Sequence, residues 1–258
     1  GKRPLGRFVG REWELAELHH RLSRVEKGRG QIVGIVGEPG VGKSRLCYEV
    51  SQMLRTHGWL ILETSPVAYG QDIPYFPVVD LLKTYFLLDA GDAPRTVHDK
   101  IMTKLQTLDE GLRSIVPPLL ALLDLPVEDP SWQALEASQR RQRTLDALKH
   151  LLIWESQVRP VLLVVENLHW IDTETQAFLD GLVNSLPTAR LLLLVNYRPE
   201  YQHHWASKPY YTPLRLDPLE PERAAELLRS LIGEDATLAP LNRHLIEKTE
   251  GNPFFLEE

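Results

Sequence analysis

Cysteine is almost absent from this sequence, since Cys47 is the single one among 258 residues. One cysteine excludes an intramolecular disulfide and any metal site built from several cysteines. It also fits a reducing compartment, so we expect a cytoplasmic protein.

Long hydrophobic runs are lacking as well. The longest apolar stretches, such as LLLLV at residues 191–195, have the length of a strand, and none approaches the roughly 18 residues that a membrane span needs. The N-terminal residues GKRPLGRFVGREWEL lack the continuous apolar core of a signal peptide. We therefore expect no membrane partner.

The chain has no excess of basic residues. It contains 29 Lys and Arg against 35 Asp and Glu, and its pI is near 5.9. The overall basic charge of many nucleic-acid-binding proteins is missing, so we do not expect this segment to bind nucleic acid. The apolar content of 43% is enough for the core of one large domain with a small appendage.

Strand-like and helix-like patterns alternate along the chain. QIVGIV at 31–36 and WLILET at 59–64 are typical of buried strands, and a helical pattern lies between them. VLLVVE at 161–166 and RLLLLVNY at 190–197 are apolar throughout, as strands covered on both faces must be, so we expect them in the middle of a parallel sheet. A last short strand is expected near TPLRLDPL. The first amphipathic helix is expected to bury Trp13, Leu15, Leu18, Leu22 and Val25.

The domain organisation follows from these patterns. Residues 1–217 are predicted to form the main domain, with a helical insertion at about 65–158, and residues 218–258 a small helical lid. The chain stops at NPFFLEE inside a helical pattern that has no stop signal. We therefore expect the lid to be truncated and the chain to be one piece of a longer protein.

Residues 37–44, GEPGVGKS, satisfy the phosphate-binding pattern G-x-x-x-x-G-K-[ST], with a predicted strand before and a helix after. Glycines let backbone N–H groups approach an anion, and the helix N-terminus adds partial positive charge. Lys43 is expected to bridge the β and γ phosphates of a nucleotide, and the Ser44 hydroxyl to ligate Mg²⁺. The predicted nucleotide-contacting residues here are Gly37, Glu38, Pro39, Gly40, Val41, Gly42, Lys43, Ser44 and Arg45. For Arg45 and Cys47 themselves, packing or surface positions are the ordinary roles.

The second half of the site is expected where VLLVVE ends. Glu166 closes a buried strand and is predicted to be the magnesium-side acid, on a strand that neighbours the phosphate-loop strand. The next residue is Asn167, whose amide can orient a water molecule but cannot take its proton, so hydrolysis is expected to be slow. Asp172 is the nearest other carboxylate, but it precedes a helical pattern, and an N-cap is the preferred interpretation.

A third piece is LLLLVNYRPEY. Asn196 is predicted to touch the γ phosphate or the attacking water. Arg198 alone would usually form a surface salt bridge, but beside the phosphate loop a pairing with the third phosphate is favoured. Arg140, Arg141 and Arg143 allow two interpretations, an inter-subunit arginine finger or a solvated helix face, and the second is favoured. His19, His20, His203 and His204 show no metal-ligand spacing and are expected at the surface.

Six segments in order carry a resemblance: FVGREWEL, GEPGVGKSRL, YGQDIPYFPVVDLL, VLLVVENLHWIDTET, LLLLVNYRPEY and EGNPFFLEE. Together they resemble the ATPase module of STAND-class signal-transduction ATPases, within the AAA+ branch of P-loop NTPases. That subfamily accompanies LuxR-type regulators, class III adenylate cyclases, protein kinases and helical-repeat proteins.

The resemblance implies an α/β fold, with a five-stranded parallel sheet between helices and the phosphate-loop strand at its centre. It also implies that Val9, Gly10 and Arg11 border the adenine, that Asn196 and Arg198 form sensor 1, and that Gly251 and Pro253 close the lid over the base. Relatives usually carry Asp at position 166 and often an acid at position 167. Glu166 and Asn167 depart from that pattern, which bears on turnover rather than on binding.

Two main functions remain open. The chain is expected to be a switch that binds Mg²⁺ with ATP or ADP, hydrolyses ATP slowly and self-associates when ATP is bound, with sensor and effector domains outside this segment. The alternative is a nucleotide-binding scaffold that does not hydrolyse ATP, for which Asn167 is the main support. A DNA-loading ATPase is less favoured because of the acidic pI and the absence of a winged-helix segment.

Overall fold

Five parallel strands form one sheet in the computed structural model, which describes residues 6–233 and 239–257. Residues 1–5, 234–238 and 258 of the predicted domains lie outside the described residues. Every pair of neighbouring strands is parallel. The strands are β1 (Gln31–Val36), β2 (Leu60–Thr64), β3 (Val161–Val165), β4 (Leu191–Tyr197) and β5 (Tyr211–Arg215).

The strand order is β2-β3-β4-β1-β5, which corrects two expectations. The phosphate-loop strand β1 is not central, because β4 holds the middle position. The acid that follows β3 is not on the neighbouring strand either, since β4 separates β3 from β1. Sequence pattern could not give this order, because β1, β3 and β4 are all continuously apolar and each satisfies the requirements of an inner strand.

Helices cover the sheet and extend beyond it. They are α1 (Glu12–Glu26), α2 (Lys43–Arg55), α3 (Phe76–Tyr85), α4 (Pro94–Leu108), α5 (Val116–Leu122), α6 (Pro130–Gln133), α7 (Ala137–Val158), α8 (Thr173–Val183), α9 (Pro221–Ile232), α10 (Ala239–Thr249) and α11 (Pro253–Glu257). None of the helices in the described part of the chain combines the length and hydropathy of a membrane span.

Successive residues of the inner strands face two different cores. In β3, Leu163 belongs to a large cluster with residues of α3, α4, α5, α7 and α8, whereas Leu162 and Val164 belong to a second cluster with α1 and α2. This alternation follows from the period of two in an extended chain. The helical insertion therefore covers one face of the sheet, and α1 and α2 cover the other.

Helix α1 buries a narrower face than its sequence indicates. Leu18, Leu22 and Val25 are buried in the second cluster, but the Trp13 side chain is 66% exposed. The expected burial of Trp13 was wrong. The residue stands at the second position of the helix, where the chain has only just reached the sheet.

The C-terminal helices build a small core of their own. Leu219, Ala224, Leu227 and Leu256 pack together, and Val9 of the N-terminal arm joins them. Helix α9 starts at Pro221 and ends before Gly233, as its sequence predicts. The arm and the C-terminal helices thus meet beside the end of β1.

Candidate functional site

The phosphate loop joins the carboxyl end of β1 to α2. Helix α2 begins at Lys43, and its N-cap residue Gly42 has φ 96°, a left-handed conformation that side chains rarely adopt. The first backbone N–H groups of α2 therefore remain available to an anion, since no capping side chain accepts from them.

Lys43 folds back over this loop. Its Nζ donates to the carbonyl oxygens of Gly37 at 2.7 Å and Glu38 at 2.8 Å. Burial and, after it, the positive charge of Arg198 lower the pKa of Lys43. Both effects disfavour the charged ammonium, so an anion placed between Lys43 and Arg198 would relieve their repulsion.

A cavity of about 400 Å³ opens above the loop. Its apolar lining residues, called here the apolar end, are Phe8, Val9, Leu219, Leu227, Pro253 and Phe254. The rest of the lining, called here the cationic end, includes the loop residues 39–45, Asn167, His169 and Arg198, and Arg7 and Arg11 also line the cavity. Such a volume, with an apolar end and a cationic end, suits a nucleotide-sized ligand.

Not every predicted nucleotide-contacting residue lines this cavity. Val9, Arg11, Pro253 and the loop from Pro39 to Arg45 do. Gly10, Gly37, Glu38, Glu166 and Asn196 are not among the lining residues.

Arg11 fixes the loop and the arm in place. Its Nη2 donates to the carbonyl oxygens of Val41 at 2.9 Å and Asp217 at 2.7 Å, and its Nη1 donates to Glu14 at 3.1 Å. The residue is buried. Its donors therefore hold the phosphate loop against the chain just beyond β5.

Arg45 is directed toward the arm. Its Nη2 donates to the carbonyl oxygen of Gly6 at 2.8 Å, its Nε donates to Glu49 at 2.7 Å, and its guanidinium lies 5.8 Å from the ring centre of Phe8. This packing role is the one that the sequence favours for Arg45. Through these contacts the residue holds one wall of the apolar end.

Glu166 and Asn167 stand at the carboxyl end of β3. The backbone N–H of Glu166 donates to Thr64 O at 3.0 Å, which continues the pairing of β2 with β3. Asn167 adopts a left-handed conformation with φ 50°, which Asn tolerates better than most residues. Its Nδ2 donates to Ser65 Oγ at 3.1 Å, an interaction that sequence reasoning missed.

Asn196 lies behind these two residues rather than in the cavity. It is fully buried. Its Oδ1 accepts from the backbone N–H of Asn167 at 2.8 Å, and its Nδ2 donates to Glu166 Oε2 at 3.0 Å. The Cys47 sulfur is 3.6 Å from the same Nδ2, and burial followed by the negative charge of Glu166 raises the pKa of the Cys47 thiol. Both polar atoms of the Asn196 amide thus have protein partners, and its contact with the γ phosphate or with water stays a prediction.

His169 and Arg198 border the cationic end of the cavity. The two ring nitrogens of His169 are buried and have no hydrogen-bond partner among the described residues. Burial, followed by the charge of Arg198, lowers the pKa of His169, so the neutral imidazole is favoured. A neutral ring with one donor and one acceptor can bind either a phosphate oxygen or a water molecule.

Asp172 is a helix cap, as its sequence context indicates. It accepts from the backbone N–H groups of Glu174 at 3.0 Å and Thr175 at 2.9 Å at the start of α8, and also from that of Tyr75 at 2.9 Å. Arg141 pairs with Glu174 at 2.8 Å. These polar side chains join the insertion to the segment that follows β3.

His203 is not the surface residue that was expected. Its Nε2 lies 3.0 Å from Tyr197 Oη and 3.1 Å from Tyr211 Oη, and the ring is half-buried. Its Nδ1 accepts from the backbone N–H of Trp205 at 3.2 Å, which leaves the ring proton on Nε2. Burial lowers the pKa of His203. Spacing alone could not reveal this environment, because it depends on Tyr197 and Tyr211 meeting from two different strands.

Residues of the C-terminal helical segment contact the phosphate loop directly. Asn252 Nδ2 donates to Pro39 O at 3.1 Å, and the backbone N–H of Phe254 donates to Gly40 O at 3.3 Å. Gly251 has φ 71°, and a Cβ there would lie 2.2 Å from Leu219 O, so only glycine fits. The sequence resemblance indicates Gly251 and Pro253 as residues that close over the base, but it does not indicate Asn252 between them.

These residues fit a Mg²⁺–nucleotide complex. No group of three or more His, Cys, Asp or Glu side chains able to hold a metal occurs in residues 6–233 and 239–257. Mg²⁺ in phosphate sites needs few protein ligands, because phosphates and water supply the rest. The Ser44 hydroxyl at the start of α2 and the Glu166 carboxylate directly after β3 are oxygen ligands that suit Mg²⁺.

Comparisons with known proteins agree with this geometry. A family model described as an AAA ATPase domain matches residues 7–195. A curated protein of Rhizobium meliloti (strain 1021), named as uncharacterized, is 25% identical over an alignment 263 positions long, which covers 98% of this chain and 25% of that protein. The chain thus spans a quarter of the length of this relative.

Solved structures show the same fold. A STAND protein with a tetratricopeptide repeat sensor from Pyrococcus horikoshii aligns with a TM-score of 0.51 at 16% identity, over 98% of this chain and 30% of that one. A chain of the Escherichia coli MS115-1 HORMA:CdnC:Trip13 complex aligns with a TM-score of 0.52 at 13% identity, over 94% and 74%. A RuvB variant of Thermotoga maritima aligns with a TM-score of 0.50 at 13% identity, over 97% and 60%.

Proposed function

The chain belongs to the AAA ATPase domain family, and on that premise we propose that it is the nucleotide-binding module of a signal-transduction switch. It binds Mg²⁺ with ATP or ADP and hydrolyses ATP slowly. The observation that carries this proposal is the cavity between the phosphate loop and the lid helices, cationic at Lys43 and Arg198 and apolar at Val9 and Pro253.

Nucleotide binding assigns a role to each end of the cavity. The apolar end receives the base, between Val9 of the arm and Pro253 of the lid. The N–H groups of the loop and Lys43 bind the β and γ phosphates, and Lys43 exchanges its carbonyl partners for phosphate oxygens. Arg11 lines the cavity but acts by bracing its wall, since its donors are held by protein carbonyl groups and by Glu14, and Gly10 is not among the lining residues.

Hydrolysis requires a water molecule in line with the γ phosphate. Mg²⁺, held through Ser44 and Glu166, supplies charge neutralisation at the phosphates when it is bound. Asn167 orients the water but cannot accept its proton, and Asn196 fixes both Glu166 and Asn167 from behind. The chemical step is slow because no carboxylate stands at position 167.

The switch consists in the position of the lid. We propose that residues 1–217 act as the ATPase domain, with the insertion at 65–158, and that residues 218–258 act as the lid. The bond from Asn252 to Pro39 O supports this role, because it joins the proposed lid to the phosphate loop. ADP is proposed to hold a closed monomer and ATP to favour an open, self-associating form, coupled to sensor and effector domains outside this segment.

A scaffold that binds nucleotide without hydrolysis is the second candidate, and Asn167 is the observation that favours it. In such a protein the nucleotide would stabilise the lid contact, and no γ-phosphate cleavage would occur. The acidic pI of 5.9 gives no support to a DNA-loading function.

Calorimetric titration of the purified chain with ATP and with ADP, each in the presence of Mg²⁺, tests the proposal. The wild-type chain should bind both nucleotides with micromolar or tighter affinity, and Lys43→Ala should bind neither. The exposed Lys27→Ala variant is the matched control and should bind like wild type. Retention of micromolar affinity by Lys43→Ala would contradict the assignment of the phosphate loop.

A further inference from the structure

Arg198 reaches the cationic end of the cavity with few restraints on its guanidinium. Its side chain is 38% exposed, and its single carboxylate contact is with Glu200, where Nη1 and Oε1 are 4.0 Å apart. No hydrogen bond from this guanidinium occurs within the part of the chain that the structure describes. A cation held so loosely would lose much side-chain entropy on binding a phosphate.

Trp170 supplies the restraint that hydrogen bonding does not. The carbon at the centre of the Arg198 guanidinium lies 5.6 Å from the centre of the Trp170 ring. Tryptophan offers the strongest aromatic face to a cation, and attraction to a face leaves the N–H donors of arginine unused.

The Trp170 ring is itself anchored close to the site. Its backbone N–H donates to Asn167 O at 2.8 Å, and its ring centre is 4.8 Å from that of His169, which lines the cavity. The ring therefore stands on the rigid turn that follows β3, whereas Arg198 follows β4. The contact joins the ends of two strands that both border the phosphate end.

Glu200 opposes the effect of Trp170 on the Arg198 guanidinium. Its Oε1 lies 4.0 Å from Nη1 of Arg198, so a negative charge stands beside the guanidinium that borders the cationic end of the cavity. Glu200 is mostly exposed, and a pair at 4.0 Å is weak. It competes with an incoming phosphate for the Arg198 guanidinium.

We propose that Trp170 is a positioning residue that holds Arg198 toward the third phosphate, and that Trp170 and Glu200 together set how strongly the site prefers ATP to ADP. This proposal rests on the proposed nucleotide site. It adds two residues that act through Arg198 and do not touch the nucleotide. The effect is confined to the triphosphate, because ADP has no third phosphate for Arg198 to bind.

A double-mutant cycle on nucleotide affinity tests the proposal. Trp170→Leu should weaken ATP binding roughly three- to tenfold and leave ADP binding unchanged. Trp170→Phe, which keeps a smaller ring, should lose less. In an Arg198→Leu background, Trp170→Leu should have no further effect on ATP affinity. Glu200→Gln should raise the ratio of ATP to ADP affinity.

The matched control is Trp154→Leu, which removes a partly buried tryptophan that packs against the core away from the cavity. It should leave the ratio of ATP to ADP affinity unchanged. The proposal is overturned if Trp170→Leu weakens ATP and ADP equally, or if its effect persists at full size without Arg198. If the wild-type chain binds neither nucleotide, the proposed function itself fails, and the two failures are thus distinguished. If Trp170→Leu does not fold, the cycle is measured with Trp170→Phe.

Discussion

The side-chain amide of Asn196 donates a hydrogen bond to Oε2 of Glu166 at 3.0 Å. Asn196 belongs to the central strand β4, and Glu166 follows β3, so the strand between the acid and the phosphate loop orients the acid. The other end of the same amide accepts the backbone N–H of Asn167. The Asn196 amide therefore contacts both the Glu166 side chain and the Asn167 backbone.

Restoring a carboxylate at position 167 should accelerate hydrolysis. Asn167→Asp is expected to raise the rate of ATP turnover at least tenfold, because general bases contribute about 10²–10⁴-fold. The backbone tolerates the change, since Asp also adopts the left-handed conformation and Ser65 Oγ can donate to it. The measurement is phosphate release at saturating ATP. The control is Asn184→Asp, which adds the same charge at an exposed position and should turn over ATP like wild type. An unchanged rate in Asn167→Asp would show that the Asn167 amide does not limit hydrolysis.

Removing the lid contact should speed nucleotide release. Asn252→Ala deletes the bond to Pro39 O and the bond from the Phe254 N–H. Of these two, only the bond to Pro39 O joins the C-terminal segment to the phosphate loop, and one hydrogen bond contributes about 1 kcal/mol, so dissociation of ADP should be about fivefold faster. Stopped-flow displacement of a fluorescent ADP analogue measures the rate, and Asn184→Ala is the control. Equal rates in Asn252→Ala and wild type would rule out this contact as a restraint on the lid.

Arg11 should matter more for stability than an exposed arginine does. Arg11→Ala removes the donor from the buried carbonyl group of Val41 and from the partly buried one of Asp217, and a loss of about 3 kcal/mol in the free energy of unfolding is expected. Arg55→Ala breaks an exposed pair with Glu63 and should cost less than about 1 kcal/mol. Urea denaturation measures both values. Similar losses in the two variants would contradict the bracing role of Arg11.

His203 should make the protein less stable in mild acid. Burial lowers its pKa in the folded state, with a smaller contribution from His204 and an opposing one from Asp180. The unfolded chain, with a pKa of about 6.5, then binds the proton more readily, so stability is present above about pH 6.5 and falls as the pH is lowered below it.

Urea denaturation at several pH values from 7.5 to about 5 tests this dependence. His203→Gln should show a shallower loss of stability with acid than wild type does. His20→Gln, at an exposed position, should follow the wild-type curve. A His203→Gln curve parallel to wild type would show that this ring does not contribute.

Sequence predicted the phosphate loop and the identity of the strands because both depend on local patterns. GEPGVGKS is contiguous, and strands such as VLLVV are apolar on both faces. Strand order was predicted wrongly, because inner strands with the same pattern are interchangeable until they pack.

Side-chain partners from distant segments were also beyond sequence pattern. The partners of Asn196 lie 29 and 30 positions away, and Asn252 is 213 positions from Pro39. The burial of His203 depends on tyrosines of two different strands. Such contacts are consequences of the tertiary fold, and only the position of Asn252 within the GNP segment offered a local signal.

The identity of the nucleotide that the protein retains tests nucleotide binding and slow hydrolysis most directly. The purified chain is incubated with Mg²⁺ and ATP, freed of unbound nucleotide and denatured at successive times, and the released nucleotide is identified by chromatography, with Lys43→Ala as the control. We expect wild type to retain nucleotide and to convert bound ATP slowly to bound ADP. Lys43→Ala should retain none. Bound ATP that stays intact would contradict hydrolysis and favour the scaffold, and wild type without nucleotide would contradict the site itself.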